Sequence, residues 1–179
     1  GLPGRVGLTF APGKHQQGAT TTWERDLDQD LQRLVEHYGA TLLVSLVEQG
    51  ELKALGIPHL IPEARSRGME VQHFPFEDGS TPEVAPLLDV VARILEVAWA
   101  GGTTVIHCKG GLGRSGLVAA SCLLARGLSV PDAIQATRRA RRGAIEPVQE
   151  AFLPKVAAAL KGAGVERRAA AGGAGGEHA

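Results

Sequence analysis

Thr103-Thr-Val-Ile-His107-Cys108-Lys109-Gly110-Gly111-Leu112-Gly113-Arg114-Ser115-Gly-Leu117 is the stretch that decides how this chain is read. A short β-branched run, Thr103 to Ile106, leads to Cys108, and five residues, three of them glycine, separate the cysteine from Arg114 and Ser115. An apolar run from Leu117 to Ala125 follows and predicts a helix. A strand, a glycine-rich loop and a helix start bring several backbone N–H groups and the positive end of a helix dipole to one point. Successive N–H groups in such a loop form a concave nest for an anion. The sequence sets the Cys108 thiol at the mouth of that nest and the Arg114 guanidinium at its rim. Lys109, Gly110, Gly111, Leu112 and Gly113 would line it. A phosphate dianion would therefore meet a nucleophile with a bidentate clamp beside it.

The thiol matters through its ionisation. A helix N-terminus with cationic neighbours can bring a cysteine from about 8.5 down to roughly 3.5–7.5, where the nucleophilic thiolate prevails at neutral pH. Lys109, Arg114 and the loop amides all act in that direction, and the Ser115 hydroxyl could donate to the sulfur and later help it leave. A buried structural cysteine is the plainer reading. Such a cysteine needs neither three loop glycines nor an arginine six residues on.

Competing motifs fall away. Gly111-x-Gly113-x-x-Gly116 matches the dinucleotide fingerprint, but no second strand ending in an acidic residue follows. Instead Ser129-Val-Pro131-Asp132 opens another helix. No Gly-Lys-Ser/Thr closes the loop, and Gly113-Arg-Ser115-Gly-Leu117 misses the nucleophile elbow by its last residue. Six histidines and two cysteines without Cys-x-x-Cys give no metal constellation, so no cofactor is expected.

Outward from this stretch, strands and helices alternate. A helix is expected over Thr22–Tyr38, with Leu27, Leu31, Leu34 and Val35 on one face and Gly39 ending it. Thr41–Val47 is an apolar run typical of a buried strand. Short helices are expected around 50–55 and 62–67, then a strand near Glu70–Phe74. Pro82 opens a long helix to about Ala100, and further helices span about 131–142 and 147–160. This pattern predicts an α/β fold: a central, mostly parallel sheet of about four or five strands with helices on both faces. One domain is expected over 1–161, with 162–179 a low-complexity, mobile tail.

With 179 residues, 44% of them apolar, and 19 basic against 19 acidic side chains, the composition is that of a soluble globular protein. No apolar run is long enough to span a membrane. The neutral balance argues against nucleic acid as a partner. Arg138-Arg139-Ala-Arg141-Arg142 ends a helix, where cations complement the dipole, and could form a basic rim for anionic substrates. A thiolate and only two cysteines suit a reducing, cytoplasmic setting. Cys122, among Val118, Leu123 and Leu124, reads as core, with a protective disulfide to Cys108 as the other possibility.

His107-Cys108-x5-Arg114-Ser115 resembles the signature of the cysteine-dependent protein tyrosine and dual-specificity phosphatases. Ala11-Pro-Gly13, Glu51-Leu52 before Gly56-Ile-Pro58, and Phe74-Pro-x-x-Asp78-Gly-x-Thr81-Pro82 resemble the kinase-associated phosphatase group, the cyclin-dependent kinase inhibitor 3 domains. The likeness covers about residues 6–160. It implies a metal-independent hydrolase acting on phosphotyrosine, and on phosphoserine or phosphothreonine, through a phosphocysteine at Cys108. It also implies a general acid on a mobile loop roughly thirty residues upstream of the cysteine. Asp78 fits, with Glu77 as the second candidate, although Asp-Gly is also an ordinary turn dipeptide. The late stretch Gly143-Ala-Ile-Glu146-Pro-Val-Gln149 resembles the loop that places water for the second step, which makes Gln149 its candidate. A phosphorylated protein or peptide is then the expected partner, and no kinase partner can be inferred. Two alternatives stay open: the same chemistry on a phosphoinositide or inositol phosphate, and a non-catalytic phosphate-binding module.

Overall fold

Residues 1–18 and 21–163 are described in a computed structural model. In chain order the elements are β1 (Arg5–Thr9), β2 (His15–Gln17), β3 (Thr22–Glu24), α1 (Leu27–Glu36), β4 (Ala40–Ser45), α2 (Gln49–Ala54), α3 (Leu60–Ser66) and β5 (Glu70–His73). They continue with α4 (Val84–Trp99), β6 (Thr103–His107), α5 (Gly113–Ala125), α6 (Val130–Ala140) and α7 (Pro147–Ala163). Four strands form one sheet in the order β1-β6-β4-β5, and all three pairings are parallel. Between β1 and β4, β6 is fully paired, so Cys108 emerges between two neighbouring strand ends. In open parallel sheets that carboxyl edge is where ligands bind.

Alternation along the strands splits the core in two. Leu42, Val44 and Ile106 share one cluster with Leu87, Val91 and Ile94 of α4 and Leu117 and Val118 of α5. Leu43 and Val105 point the other way, onto Leu31 and Leu34 of α1, Leu52 of α2 and Leu60 of α3. Helices thus cover both faces, as the alternation of elements requires. Among the described residues no helix is long and apolar enough to cross a membrane.

Several boundaries differ from the sequence reading. Thr22–Glu24 is strand β3, paired antiparallel with β2. Its β-branched and aromatic residues favour extended backbone. The helix starts only after Asp26, whose carboxylate accepts the Gln29 N–H at 2.8 Å. α4 begins at Val84, two residues after Pro82. α5 begins at Gly113 rather than Leu117, so Arg114 and Ser115 sit in its first turn. Strand β1 was not read from the sequence: in Arg5-Val-Gly-Leu-Thr9 the β-branched Val6 and Thr9 are separated by Gly7, and pairing with β6 makes it a strand. Past Ala163 the expected mobile tail lies outside the described residues.

Candidate active site

The loop after β6 closes on its own sulfur. Cys108 is buried, and its Sγ accepts the Gly111 N–H at 3.3 Å and lies 3.5 Å from the Ser115 hydroxyl. Gly111 has φ +72° and leans on Thr9 and Phe10, whose backbone atoms lie 2.5–2.6 Å from where a Cβ would stand. Only glycine fits both that conformation and that approach. Ser115 reaches the sulfur because Gly113–Ser115 are already helical. His107, the last residue of β6, is wholly buried, with Nδ1 3.4 Å from the Cys108 carbonyl, and burial pushes its pKa down to about 4.

Arg114 is fully buried too, and the structure shows what keeps it there. Its Nη1 donates to Glu51 Oε2 at 2.7 Å and to the Leu46 and Phe76 carbonyls at 3.2 and 3.0 Å. Nη2 donates to Glu51 Oε1 at 2.7 Å, completing a bidentate pair. Burial opposes ionisation of Glu51. Hydrogen bonds from Arg114 and from the Glu48 N–H outweigh it and hold the carboxyl below its usual range. That second bond is the capping box of α2, so one carboxylate both starts a helix and clamps the arginine. Among the described residues the buried Arg114 Nε has no acceptor, an N–H for which an incoming oxyanion would supply one.

Asp78 is the other carboxylate brought to Arg114, with Oδ1 3.1 Å from Nη2 and half its side chain exposed. The loop carrying it continues from β5. The Phe74 and Phe76 N–H groups donate to the Ser45 and Leu46 carbonyls, and Phe76 is inserted in the core. Glu77 lies on this loop as well, but its carbonyl is what holds the turn, accepting from the Ser80 N–H and hydroxyl. Gln149 is buried with its amide engaged on both sides: Oε1 accepts the Glu146 N–H at 2.9 Å and Nε2 donates to the Ser80 carbonyl at 3.3 Å. It ties the loop carrying Asp78 to the late loop.

The arginine run does not form one rim. Arg138 donates to the Ala144 and Ile145 carbonyls and pairs with Glu150, Arg139 bonds Gln135, and Arg141 turns towards the Gly110 carbonyl. Cys122 is buried in α5, where burial drives its thiol up to about 12. The Cys108 sulfur lies against Ser115, and at roughly 1.5 Å per residue Cys122, seven residues on, is about 10 Å further up the helix. That is too far for a disulfide with Cys108. No group of three or more metal-ligating side chains is gathered among the described residues.

Residues 6–138 match the family model for cyclin-dependent kinase inhibitor 3. The chain belongs to that family. Mouse cyclin-dependent kinase inhibitor 3 is 31% identical over 147 residues, spanning 81% of this chain and 67% of the relative. Human protein tyrosine phosphatase type IVA 3 is 32% identical over 125 residues, 68% of this chain and 66% of that protein. A crystal structure of kinase associated phosphatase, with its catalytic site cysteine replaced by serine, superposes with a TM-score of 0.78. It has 29% identity and covers 87% of both chains. Tk-PTP in its active form gives 0.66 at 33% identity, covering 82% of this chain and 97% of the other. This member of the cyclin-dependent kinase inhibitor 3 family is a phosphatase of the protein tyrosine and dual-specificity type. The family match contains Cys108, Arg114, Ser115, Asp78 and Glu51, and stops short of Gln149.

Glu51 is the site residue that reading the sequence missed. It was quoted as part of the resemblance without a role, because its partner lies 63 residues away. A Glu three residues after Glu48 signals a capping box and says nothing of an arginine.

Proposed function

We propose that this phosphatase hydrolyses phosphotyrosine, and phosphoserine or phosphothreonine, on protein substrates through a phosphocysteine at Cys108. The observation that carries this reading is the convergence on one loop of three groups. They are a thiol bonded by Gly111 N–H and Ser115, a buried Arg114 with an unanswered Nε–H, and Asp78 against the same guanidinium. The solved relative with a serine in place of its catalytic site cysteine supports assigning the nucleophile to Cys108.

In the first step Cys108 Sγ attacks phosphorus, the ester P–O bond breaks, and Asp78 gives its proton to the departing oxygen. Arg114 and the amides of Lys109, Gly110, Gly111, Leu112 and Gly113 neutralise the equatorial oxygens, where most of the rate should arise. In the second step water attacks phosphorus, its proton returns to Asp78, and the S–P bond breaks. Ser115 donates a hydrogen bond to the leaving thiolate. Gln149 keeps the acid loop closed meanwhile, through Ser80. Phosphoprotein is favoured over a phosphoinositide because Lys109 is the only lysine in the loop itself, a poor match for a highly anionic head group. The sequence carries no evident tyrosine-recognition insert, which favours dual specificity. Free thiols at Cys108 and Cys122 suit a reducing, cytoplasmic setting.

The test is turnover of a small aryl phosphate and a phosphopeptide panel, with chelator present, by the parent and by Cys108→Ser. Turnover of phosphotyrosine and phosphoserine peptides, lost in Cys108→Ser, is expected. Equal activity in both proteins, or turnover of inositol phosphates alone, would contradict the reading.

A further inference from the structure

Lys14 is a buried lysine that the reaction as written leaves unused. Only 4% of it is exposed, whereas lysines are almost never fully buried unless paired, and among the described residues it forms no ion pair. Its ammonium stands 4.1 Å from the centre of the Trp23 ring and 5.4 Å from that of Phe10. The hairpin of β2 and β3 places Trp23 there. The one described hydrogen bond of the Lys14 ammonium runs 3.3 Å to the backbone carbonyl of Lys109, inside the phosphate loop. The ionisable groups facing it are Lys109, Arg141 and Cys108, with Arg25, paired to Asp30, across the Phe10 ring. Burial first, then Lys109 and Arg141, depress its pKa, and only Cys108 opposes them. A methionine would fill this space without the cost of burying a charge, and would lack the contacts the ammonium makes with the two rings and the Lys109 carbonyl.

We propose that Lys14 is a positioning residue for the phosphate loop, its ammonium and the Ala11 N–H together holding the Lys109 carbonyl outward so that the Gly110 N–H faces the anion. The inference rests on the phosphatase reading above. In a planar trans peptide the C=O and N–H point to opposite sides, and this chain has no cis bonds among the described residues. The next peptide unit shows the relation directly. Its Gly110 carbonyl is held from outside by Arg141 Nη2 at 3.5 Å, a long contact, while its Gly111 N–H points at Cys108 Sγ. The Leu112 carbonyl likewise faces out, accepting N–H groups from Gly116 and from Ile145. Ile145 sits at φ +67°, a strained conformation for a β-branched residue and one that the loop uses to reach that carbonyl. The Lys109 carbonyl accepts the Ala11 N–H at 3.3 Å and the Lys14 ammonium. By the same geometry, its peptide sends the Gly110 N–H into the nest.

Lys14→Met keeps the apolar stem between the rings and removes the donor, Lys14→Gln keeps a donor without the charge, and Lys14→Arg keeps both. Each is compared with the parent for thermal midpoint, inhibition by tungstate as a phosphate mimic, and kcat and KM on an aryl phosphate. A charge-assisted hydrogen bond is worth about tenfold or more. Lys14→Met should therefore raise the tungstate inhibition constant and lower kcat/KM about tenfold, at an unchanged or higher melting point, with Lys14→Arg recovering most of the loss. Tungstate inhibition and kcat/KM within twofold of the parent would overturn the inference. If Lys14→Met melts below assay temperature, the variants are compared at a lower temperature where it stays folded: tungstate inhibition about tenfold weaker in Lys14→Met than in Lys14→Gln supports the held carbonyl, and equal inhibition in the two overturns it. A parent that neither turns over nor binds tungstate would overturn the phosphatase reading itself, an outcome distinct from a normal parent beside an unaffected variant.

Discussion

Glu51→Ala is the substitution whose consequence the structure fixes most tightly. It removes both acceptors at 2.7 Å from an arginine with no exposed surface and an Nε–H that already lacks a partner. Breaking a buried ion pair by deleting one member costs about 3–5 kcal/mol, because the other charge is left uncompensated. The low end applies here. Arg114 Nη1 keeps the Leu46 and Phe76 carbonyls, Nη2 keeps Asp78, and the Glu51 side chain is 19% exposed, so water can enter. A loss of about 3 kcal/mol in a domain of this size lowers the melting point by about 6–12 °C. Because the Glu51 carboxyl is held below its usual range, its contribution is complete above its ordinary value near 4.5 and fades as pH falls through the lower, folded value. Thermal melts at neutral pH, with and without saturating tungstate, are the assay. The oxyanion replaces the missing partner of Arg114, so tungstate should raise the midpoint of Glu51→Ala by more degrees than that of the parent. A variant melting within 2 °C of the parent, at parental kcat/KM, would refute the clamp.

Asp78→Asn should lower kcat on phosphotyrosine peptide about 10²–10⁴-fold, and far less on an aryl phosphate whose leaving group needs no proton; stopped assays on the two substrates check the contrast. Ser115→Ala should slow breakdown of the phosphoenzyme more than its formation. Rapid-quench kinetics would then show a larger burst ahead of a slower steady state. His107 titrates near 4 in the folded protein against about 6.5 in the unfolded chain. The unfolded state therefore takes up the proton first, and stability is full above about 6.5 and declines towards pH 4 by up to about 3 kcal/mol. Denaturant midpoints against pH should show that fall, flattened in His107→Asn.

How much of this was legible in the sequence follows from how local each feature is. The β-branched run, the glycines and the apolar run around Cys108 are contiguous, so strand, loop and helix could be read together, and alternating elements gave a parallel sheet covered on both faces. Asp78 was legible because Phe-Pro-x-x-Asp-Gly-x-Thr-Pro carries its own turn chemistry. Glu51 and Lys14 were not, because each acts on a partner brought near only by the fold, 63 and 95 residues along the chain. In Pro12-Gly13-Lys14, a lysine after a turn reads as exposed, and only the Trp23 hairpin, itself taken for helix, buries it. The helix was read from Leu117, where the apolar run begins, and Gly113 and Gly116 before it lower helix propensity. The structure keeps both, since the Glu146 and Gln149 side chains lie against Gly113, and the Ile145 N and Cγ1 with the Ala144 Cβ against Gly116.

The central claim is that phosphate passes through the Cys108 sulfur. Acid quenching during turnover of a phosphotyrosine peptide, followed by mass spectrometry of the proteolysed enzyme, addresses it most directly. A single phosphoryl group on the peptide containing Cys108, accumulating in Ser115→Ala and absent from Cys108→Ser, is the expected result. Rapid turnover with no phosphoryl group on that peptide in either parent or Ser115→Ala would contradict it.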